Sequence, residues 1–89
     1  MSKKTSKINR KVNVTAVYFR TRGGLLEFPK RMEFEGETYN FLESGLQYLI
    51  RKGRSVVRIL DLTDGTASYR LRQDSGQTNW TLVAITRQG

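Results

Sequence analysis

The segment VVRILDLTDGTASYRLR, residues 56–72, carries the clearest structural signal in this chain. Both halves alternate apolar with polar residues, and the Asp64-Gly65 dipeptide between them is typical of a tight β-hairpin turn. With that dipeptide as a two-residue loop, Leu62 lies opposite Ala67. The segment therefore predicts two antiparallel strands that share one apolar face.

A second turn signal, Ser75-Gly76, extends this hairpin to a third strand. It sets Trp80 opposite Leu71 and Ala84 opposite Ala67. Both predicted registers bury the same side of the shared strand, which a wrong register would not do. The sequence thus predicts a three-stranded meander.

Two further strands are predicted around Gly36. Met32 and Phe34 alternate with charged residues before the glycine, and Tyr39 and Phe41 alternate after it. This pattern predicts a hairpin with one apolar face and one charged face.

The stretch before this hairpin predicts another strand. Residues 11–22 are rich in β-branched and aromatic side chains and end at Gly23-Gly24, which we expect to form a turn. Pro29 lacks a backbone N–H, so we expect it to mark a strand boundary and not a strand centre.

Residues 44–52 are compatible with either a helix or a strand. Ser44 and Gln47 have capping-box spacing, two cations end the segment, and a glycine follows it. These are signals for a short helix. The apolar residues of the segment also alternate, as they would in a strand. Of the two, we expect the helix.

The first ten residues differ from the rest of the chain. They contain lysine, serine, threonine and asparagine, with Ile8 as the only apolar residue after Met1. Such a composition buries too little surface to offset its ordering entropy. We therefore expect a disordered basic arm over 1–10 and a single small domain over 11–89. The predicted fold class is mainly β (α+β), an antiparallel curled sheet or small open barrel of about five to six strands with one short helix near 44–52.

A longer pattern runs through these predicted strands. It comprises Pro29-Lys30-Arg31, Gly36-Glu37-Thr38-Tyr39, Asp64-Gly65, Tyr69-Arg70-Leu71 and Trp80-Thr81-Leu82. The pattern resembles a group of small uncharacterised bacterial β-rich proteins. The resemblance implies one folded body that begins near Pro29, and it implies no particular activity.

The composition excludes several kinds of site. The chain has no cysteine and no histidine, so it lacks a thiolate nucleophile, an imidazole base and the commonest ligands of transition metals. No serine has an activating partner, and no glycine loop has the spacing of a phosphate cradle. We expect a protein without enzymatic activity, metal or cofactor. The longest apolar run, Leu82 to Ile85, is too short for a signal peptide or a membrane span, so we expect a cytoplasmic protein.

Five glutamates lie within residues 27–43. Paired carboxylates can perform acid/base catalysis of the kind that glycosidases use. The alternation around Gly36, however, puts Glu33 and Glu35 on the side away from the apolar residues. We interpret them as a solvated strand face that discourages pairing with other chains.

The positive charge is concentrated at the beginning of the chain. The formal net charge is +8, and seven basic residues without a single acid lie in the first 22 positions. Cations on a flexible arm neutralise phosphates without reading a base sequence. The arm residues that we predict to bind nucleic acid are Lys3, Lys4, Lys7, Arg10 and Lys11.

The body offers a second set of candidates. In a helix over 44–52, Tyr48 would be exposed beside cations and able to stack on a base. The alternative is that Tyr48 covers the rim of the core and the cations are merely solvated. On the meander, the apolar parity leaves two arginines on the polar side. The complete body set is Tyr48, Arg51, Lys52, Arg54, Arg70 and Arg72.

These observations predict a small non-enzymatic domain that binds DNA or RNA through charge. The alternative is a protein-interaction or structural accessory module. In that case the acidic hairpin over 27–43 would dock a partner protein, or the basic arm of the same or a second molecule. A membrane partner is not expected, because the arm lacks apolar side chains and a lipidation signal.

Overall fold

The computed structural model describes residues 3–20, 26–74 and 78–88, and these contain seven β-strands. The strands are β1 (Lys3–Arg20), β2 (Leu26–Phe34), β3 (Glu37–Asn40), β4 (Glu43–Lys52), β5 (Ser55–Thr63), β6 (Ala67–Asp74) and β7 (Trp80–Gln88). The prediction of a mainly β fold is confirmed.

All seven strands belong to one curled, unclosed antiparallel sheet with the order β3-β2-β1-β7-β6-β5-β4. The two edge strands follow each other in sequence and are joined by Phe41 and Leu42. The Phe41 amide donates to the Lys30 carbonyl of β2 at 2.8 Å, and the Leu42 amide donates to the Thr63 carbonyl of β5 at 2.9 Å. These two hydrogen bonds join the link to β2 and β5, the strands next to the two edges, and so hold the sheet in a curl around the core.

The core fills the inside of the curl. Tyr69 is its largest fully buried side chain, and the rings of Tyr39 and Phe41 meet it edge-on, with centroids 5.5 and 5.3 Å away. Edge-to-face packing of this kind is a favoured aromatic geometry. The buried apolar residues are Val12, Phe28, Met32, Phe34, Phe41, Leu60, Leu62, Ala67, Tyr69, Leu71, Trp80, Leu82 and Ile85.

The helix expected over 44–52 is not found, because this segment forms the edge strand β4. Tyr48 pairs with Ile59 and Ile50 pairs with Val57 of β5. A bulge between Ser44 and Gln47 inserts one extra residue and interrupts the alternation, which is why the spacing of the segment looked helical. Pairing with β5 outweighs the local helix signals.

The flexible arm is not confirmed either, because residues 3–10 are part of β1. Lys3 pairs with Gln88 and Lys7 with Ala84 of β7. The hydroxyl groups of Thr5 and Thr86 lie 3.1 Å apart across the two strands. Backbone hydrogen bonds to β7 hold residues 3–10 in place, although this polar segment buries little surface. A prediction from composition alone does not take such bonds into account. Residues 3–10 lengthen the expected first strand, while β4 is an additional strand and brings the number from the expected five or six to seven.

The meander is confirmed, but its first register differs from the expected one by two residues. Leu62 pairs with Tyr69 instead of Ala67. The reason is that Asp64-Gly65 is not a two-residue loop: residues 64–66 all lie outside the strands, and the Asp64 side chain accepts hydrogen bonds from the backbone that follows it. A shift of two keeps every side chain on its expected face.

The second register also differs from the expected one: Leu71 pairs with Leu82 instead of Trp80, and Ala67 pairs with Arg87 instead of Ala84. The third strand of the meander also contains one change of parity. Leu71 pairs with Leu82, but Arg70 pairs with Ala84, so Val83 is the extra residue of a bulge. Beyond it Ile85, and not the expected Ala84, is buried. The expected turn at Ser75-Gly76 lies outside the described residues.

The hairpin around Gly36 is confirmed, with Met32 paired to Tyr39. Glu35 and Gly36 have φ values of 52° and 77°, the left-handed pair that a type I′ turn requires. Pro29, expected at a strand boundary, instead lies inside β2 opposite Val17, directly beside a register irregularity. Such irregularities tolerate a residue without an N–H. The expected turn at Gly23-Gly24 lies outside the described residues.

Candidate nucleic-acid interface

One row across the sheet joins several predicted residues on the side opposite the core. Lys11 on β1 pairs with Thr81 on β7, which pairs with Arg72 on β6. Arg72 pairs in turn with Ile59 on β5, and Ile59 with Tyr48 on β4. Directly paired residues point to the same side of a sheet, and five strands about 4.8 Å apart span about 19 Å. We call this side the outer face.

A second row adds further basic residues to the outer face. Lys7 and Arg70 both pair with Ala84, from the two strands that flank β7. Lys3 lies farther along β1 and lines a cleft together with Arg70. The predicted residues that share the outer face are Lys3, Lys7, Lys11, Tyr48, Lys52, Arg70 and Arg72.

Four predicted residues do not belong to this face. Lys4 pairs with Arg87, and Arg51 pairs with Val56, so both lie on the inner side of their strands. Arg54 lies in the exposed turn between β4 and β5. Arg10 pairs with the buried Leu82 and is also on the inner side.

Arg10 instead contacts the hairpin around Gly36. Its Nη1 lies 2.9 Å from Glu35 Oε1, and its guanidinium lies 5.3 Å from the centre of the Phe34 ring. Both partners of the ion pair are well exposed, so its contribution to stability is small. This contact does resemble the alternative prediction, in which basic residues near the start of the chain dock on the acidic hairpin.

The outer face is not uniformly positive, because its arginines have acidic neighbours. Arg70 Nε and Nη2 donate to the two oxygens of Asp61 at 2.8 and 3.0 Å. These hydrogen bonds and the Asp61 charge raise the pKa of Arg70. Arg72 Nε lies 3.5 Å from Asp74 Oδ1 and has no hydrogen-bond partner. The described ion pairs of this face involve its two arginines and none of its lysines, so Lys3, Lys7, Lys11 and Lys52 are less compensated than the arginines.

Tyr48 lies beside the meander and not beside the cations that follow it in sequence. Its side chain is 40% exposed, and the Arg70 guanidinium lies 5.8 Å from its ring centre. This distance is within the range of a cation–π contact. The Arg70 guanidinium thus lies over the Tyr48 ring, and a large part of the Tyr48 side chain remains exposed to solvent.

An open cleft of about 340 Å³ lies on the outer face between β1 and β5. Lys3 and Arg70 contribute positive charge, and Asp61 contributes the opposing carboxylate. The serine and threonine hydroxyls in its lining come from Thr5, Ser68 and Thr86. These three residues were not predicted from the sequence. The alternation of Ser68 and Thr86 with core residues would have assigned both to this face, and Thr5 would have joined them once β1 was recognised as a strand.

Arg58 lies on the other side of the sheet. Its parity in the sequence predicts a position among apolar residues, and its guanidinium lies 5.2 Å from the centre of the Trp80 ring. The Arg58 side chain donates to Gln47 at 3.0 Å and to Gln73 at 3.3 Å. Arg58 is therefore a partly buried structural residue and not part of the outer face.

Asp64 organises the loop between β5 and β6. Its Oδ1 accepts hydrogen bonds from the Thr66 amide, the Thr66 hydroxyl and the Ala67 amide at 2.8–2.9 Å, and its Oδ2 accepts one from the Tyr69 hydroxyl at 2.6 Å. Burial would raise the pKa of Asp64, but these bonds together lower it to about 2. Burial and the Asp64 carboxylate raise the pKa of Tyr69. With all its oxygens engaged in the loop, Asp64 is a structural group.

Other kinds of site find no support among the described residues. Within residues 3–20, 26–74 and 78–88 there is no cluster of histidine, cysteine, aspartate or glutamate that could hold a metal ion. The same part of the chain contains no helix with the length and apolarity needed to cross a membrane. Comparison of the chain with protein-family models, with curated proteins and with solved structures found no match. The resemblance to bacterial β-rich proteins therefore stays a prediction.

Proposed function

We propose that the outer face binds DNA or RNA through the phosphate backbone, without reading the base sequence. The observation that carries this proposal is the common side of the sheet shared by Lys3, Lys7 and Lys11 with Arg70 and Arg72. These cations come from the two strands that flank β7. Neutralisation of phosphates by such a surface releases counterions and gives a salt-dependent affinity.

The lysines of β1 have the main part in this proposal. They are exposed, whereas the two arginines already have carboxylates nearby. We assign backbone contacts to the lysines and hydrogen bonds with phosphate oxygens to the hydroxyls of the cleft. Tyr48 would stack on an unpaired base at the far end of the row, which favours single strands.

The alternative, a protein-interaction module that uses the acidic hairpin, has weaker support. One glutamate of that hairpin, Glu35, is already bonded to Arg10 of the same molecule. Glu37 accepts a hydrogen bond from Tyr39, 3.3 Å away. An incoming basic partner would have to compete with these contacts.

The experiment compares two double variants that remove the same charge from opposite sides of the sheet. Lys7→Gln with Lys11→Gln alters the outer face, and Lys4→Gln with Arg87→Gln alters the inner side. Affinity for random-sequence single-stranded DNA, duplex DNA and RNA is measured across a salt series. We expect the outer pair to reduce the salt slope by about 1.4 on single strands, since each phosphate contact contributes about 0.7. The control pair should change it by less than half as much.

Equal effects of the two pairs would show that total charge matters and not the outer face. If none of the three polymers shows salt-sensitive binding at about 50 mM salt, the proposal is refuted, because backbone contacts are strong in this condition.

A further inference from the structure

The strand β4 has a free edge. It is ten residues long, ends the sheet, and pairs only with β5 among the described strands. The opposite edge strand, β3, has only four residues, and three of them are exposed polar residues. An edge strand presents unpaired N–H and C=O groups to other chains, and natural proteins keep such edges short or charged. β3 has these protections and β4 largely lacks them.

Three consecutive apolar residues of β4 are exposed at this edge. Tyr48 is 40%, Leu49 63% and Ile50 41% accessible to solvent. Tyr48 and Ile50 lie on the outer face, while Leu49 lies on the inner side opposite Arg58 of β5. A long edge strand with exposed apolar side chains and an unpaired backbone is a template for pairing with another chain.

We propose that this neighbour is β4 of a second copy of the chain, in antiparallel orientation. The charges of β4 favour that partner: Glu43 begins the strand, and Arg51 and Lys52 end it. An antiparallel copy brings the acidic end of each strand to the basic end of the other. A parallel copy would instead put like charges side by side, which destabilises a strand pair.

The bulge in β4 defines the register. A two-fold axis at Tyr48 sets Leu49 opposite Gln47 of the second copy, and the extra residue of the bulge, at positions 45–46, then falls opposite Ile50. Beyond the bulge the remaining pairs are Arg51 with Ser44 and Lys52 with Glu43. Every pair joins positions on the same side of the sheet. The extra residue of the bulge shifts the pairing by one position, as it already does in the pairing of β4 with β5. The interface is thus self-complementary, as a two-fold symmetric dimer requires.

The dimer would extend the outer face. An axis perpendicular to the sheet leaves the outer faces of both copies on one side, so their cationic rows would form one surface with the two Tyr48 rings at its centre. The association itself does not depend on nucleic acid. It can therefore fail or succeed separately from the proposed function.

The first test measures the association of the full chain without nucleic acid by sedimentation velocity over a range of concentrations. Leu49→Lys puts a charge into the proposed interface, and each substitution acts twice at a two-fold axis. Leu42→Lys is the matched control, because Leu42 is 65% exposed but precedes β4. We expect wild type and Leu42→Lys to dimerise, and the dissociation constant of Leu49→Lys to rise at least about tenfold.

The second test probes the register. Glu43→Lys and Lys52→Glu should each weaken the dimer, and the double variant should restore it, because it exchanges the two charges. Tyr48→Cys should form a disulfide-linked dimer in dilute oxidising solution, since the chain has no other cysteine. Thr38→Cys, on the edge strand β3, should not. A wild-type chain that remains monomeric at its highest soluble concentration, or a dimer that Leu49→Lys does not weaken, would overturn the proposal.

Discussion

Replacing Asp64 with asparagine should destabilise the fold at neutral pH but not in strong acid. Asparagine has nearly the shape of the carboxylate but no charge. The hydrogen bonds that Thr66, Ala67 and Tyr69 donate to this side chain therefore become weaker, because an ionised acceptor forms stronger bonds than a neutral one. The pKa of Asp64 falls from 3.8 to about 2 in the folded protein. At about 1.36 kcal/mol for each pKa unit this corresponds to about 2.4 kcal/mol, and solvent screening of a partly exposed group reduces it to about 1–2 kcal/mol.

The pH dependence has a defined sign. The folded-state pKa lies below the unfolded one, so the stabilisation is fully present above the unfolded value of 3.8 and disappears as the pH falls through about 2. Urea unfolding followed by circular dichroism should show a difference of about 1–2 kcal/mol between wild type and Asp64→Asn at pH 7. The difference should shrink as the pH falls from 3.8 towards about 2, the folded-state pKa of this carboxyl, and disappear below it.

Asp74→Asn is the matched control, because this carboxylate is 42% exposed and its ion pair with Arg72 is as long as 3.5 Å. We expect it to change the free energy of unfolding by less than about 0.5 kcal/mol. Our interpretation of the loop would be refuted by an Asp64→Asn effect that is equally large at pH 7 and pH 2, or by one no larger than that of the control.

Three further changes give distinct outcomes. Leu60→Ala empties a fully buried position and should cost about 2–5 kcal/mol in urea unfolding, whereas Leu42→Ala at an exposed position should cost less than about 0.5 kcal/mol; similar losses would contradict the described core. Gly36→Ala should cost about 1 kcal/mol although no atom crowds the site, because its φ of 77° is left-handed; an unchanged melting temperature would argue against the I′ turn. Asp61→Asn frees Arg70 from its carboxylate partner and should strengthen binding to random-sequence RNA, and weaker binding would count against the outer face as the interface.

The predictions that depended on side-chain parity were the most successful. Tyr69, Leu71 and Trp80 are buried as the meander predicted, because a register error of two residues does not exchange the faces of a strand. The position of Ile85 was not predictable in this way. The extra residue at Val83 reverses the parity, and the sequence there contains no glycine or other marker of a bulge.

The two segments that were mispredicted share a physical cause. Lys7 has polar neighbours in sequence, and Tyr48 lies in a segment with helix signals, yet both residues occur in strands that pair with distant parts of the chain. Local composition and spacing do not report such pairing. The failure to predict the strand pairing of residues 3–10 also affected the prediction of the candidate site. Recognising β1 as a strand would have separated Lys7 and Lys11 from Lys4 and Arg10, since alternation along a strand puts the odd-numbered positions on one side and the even-numbered ones on the other.

The long strand β1 also has a consequence for folding kinetics. One part of it pairs with β2, its neighbour in sequence, while residues 3–12 pair with β7, about 75 residues away. Closing so long a loop is entropically costly, and sheets dominated by distant pairings fold in about milliseconds to seconds. During synthesis the first half of β1 must wait for almost the whole chain to emerge before its partner exists. The cationic residues of this half would keep it soluble and discourage its unpaired edges from joining other nascent chains.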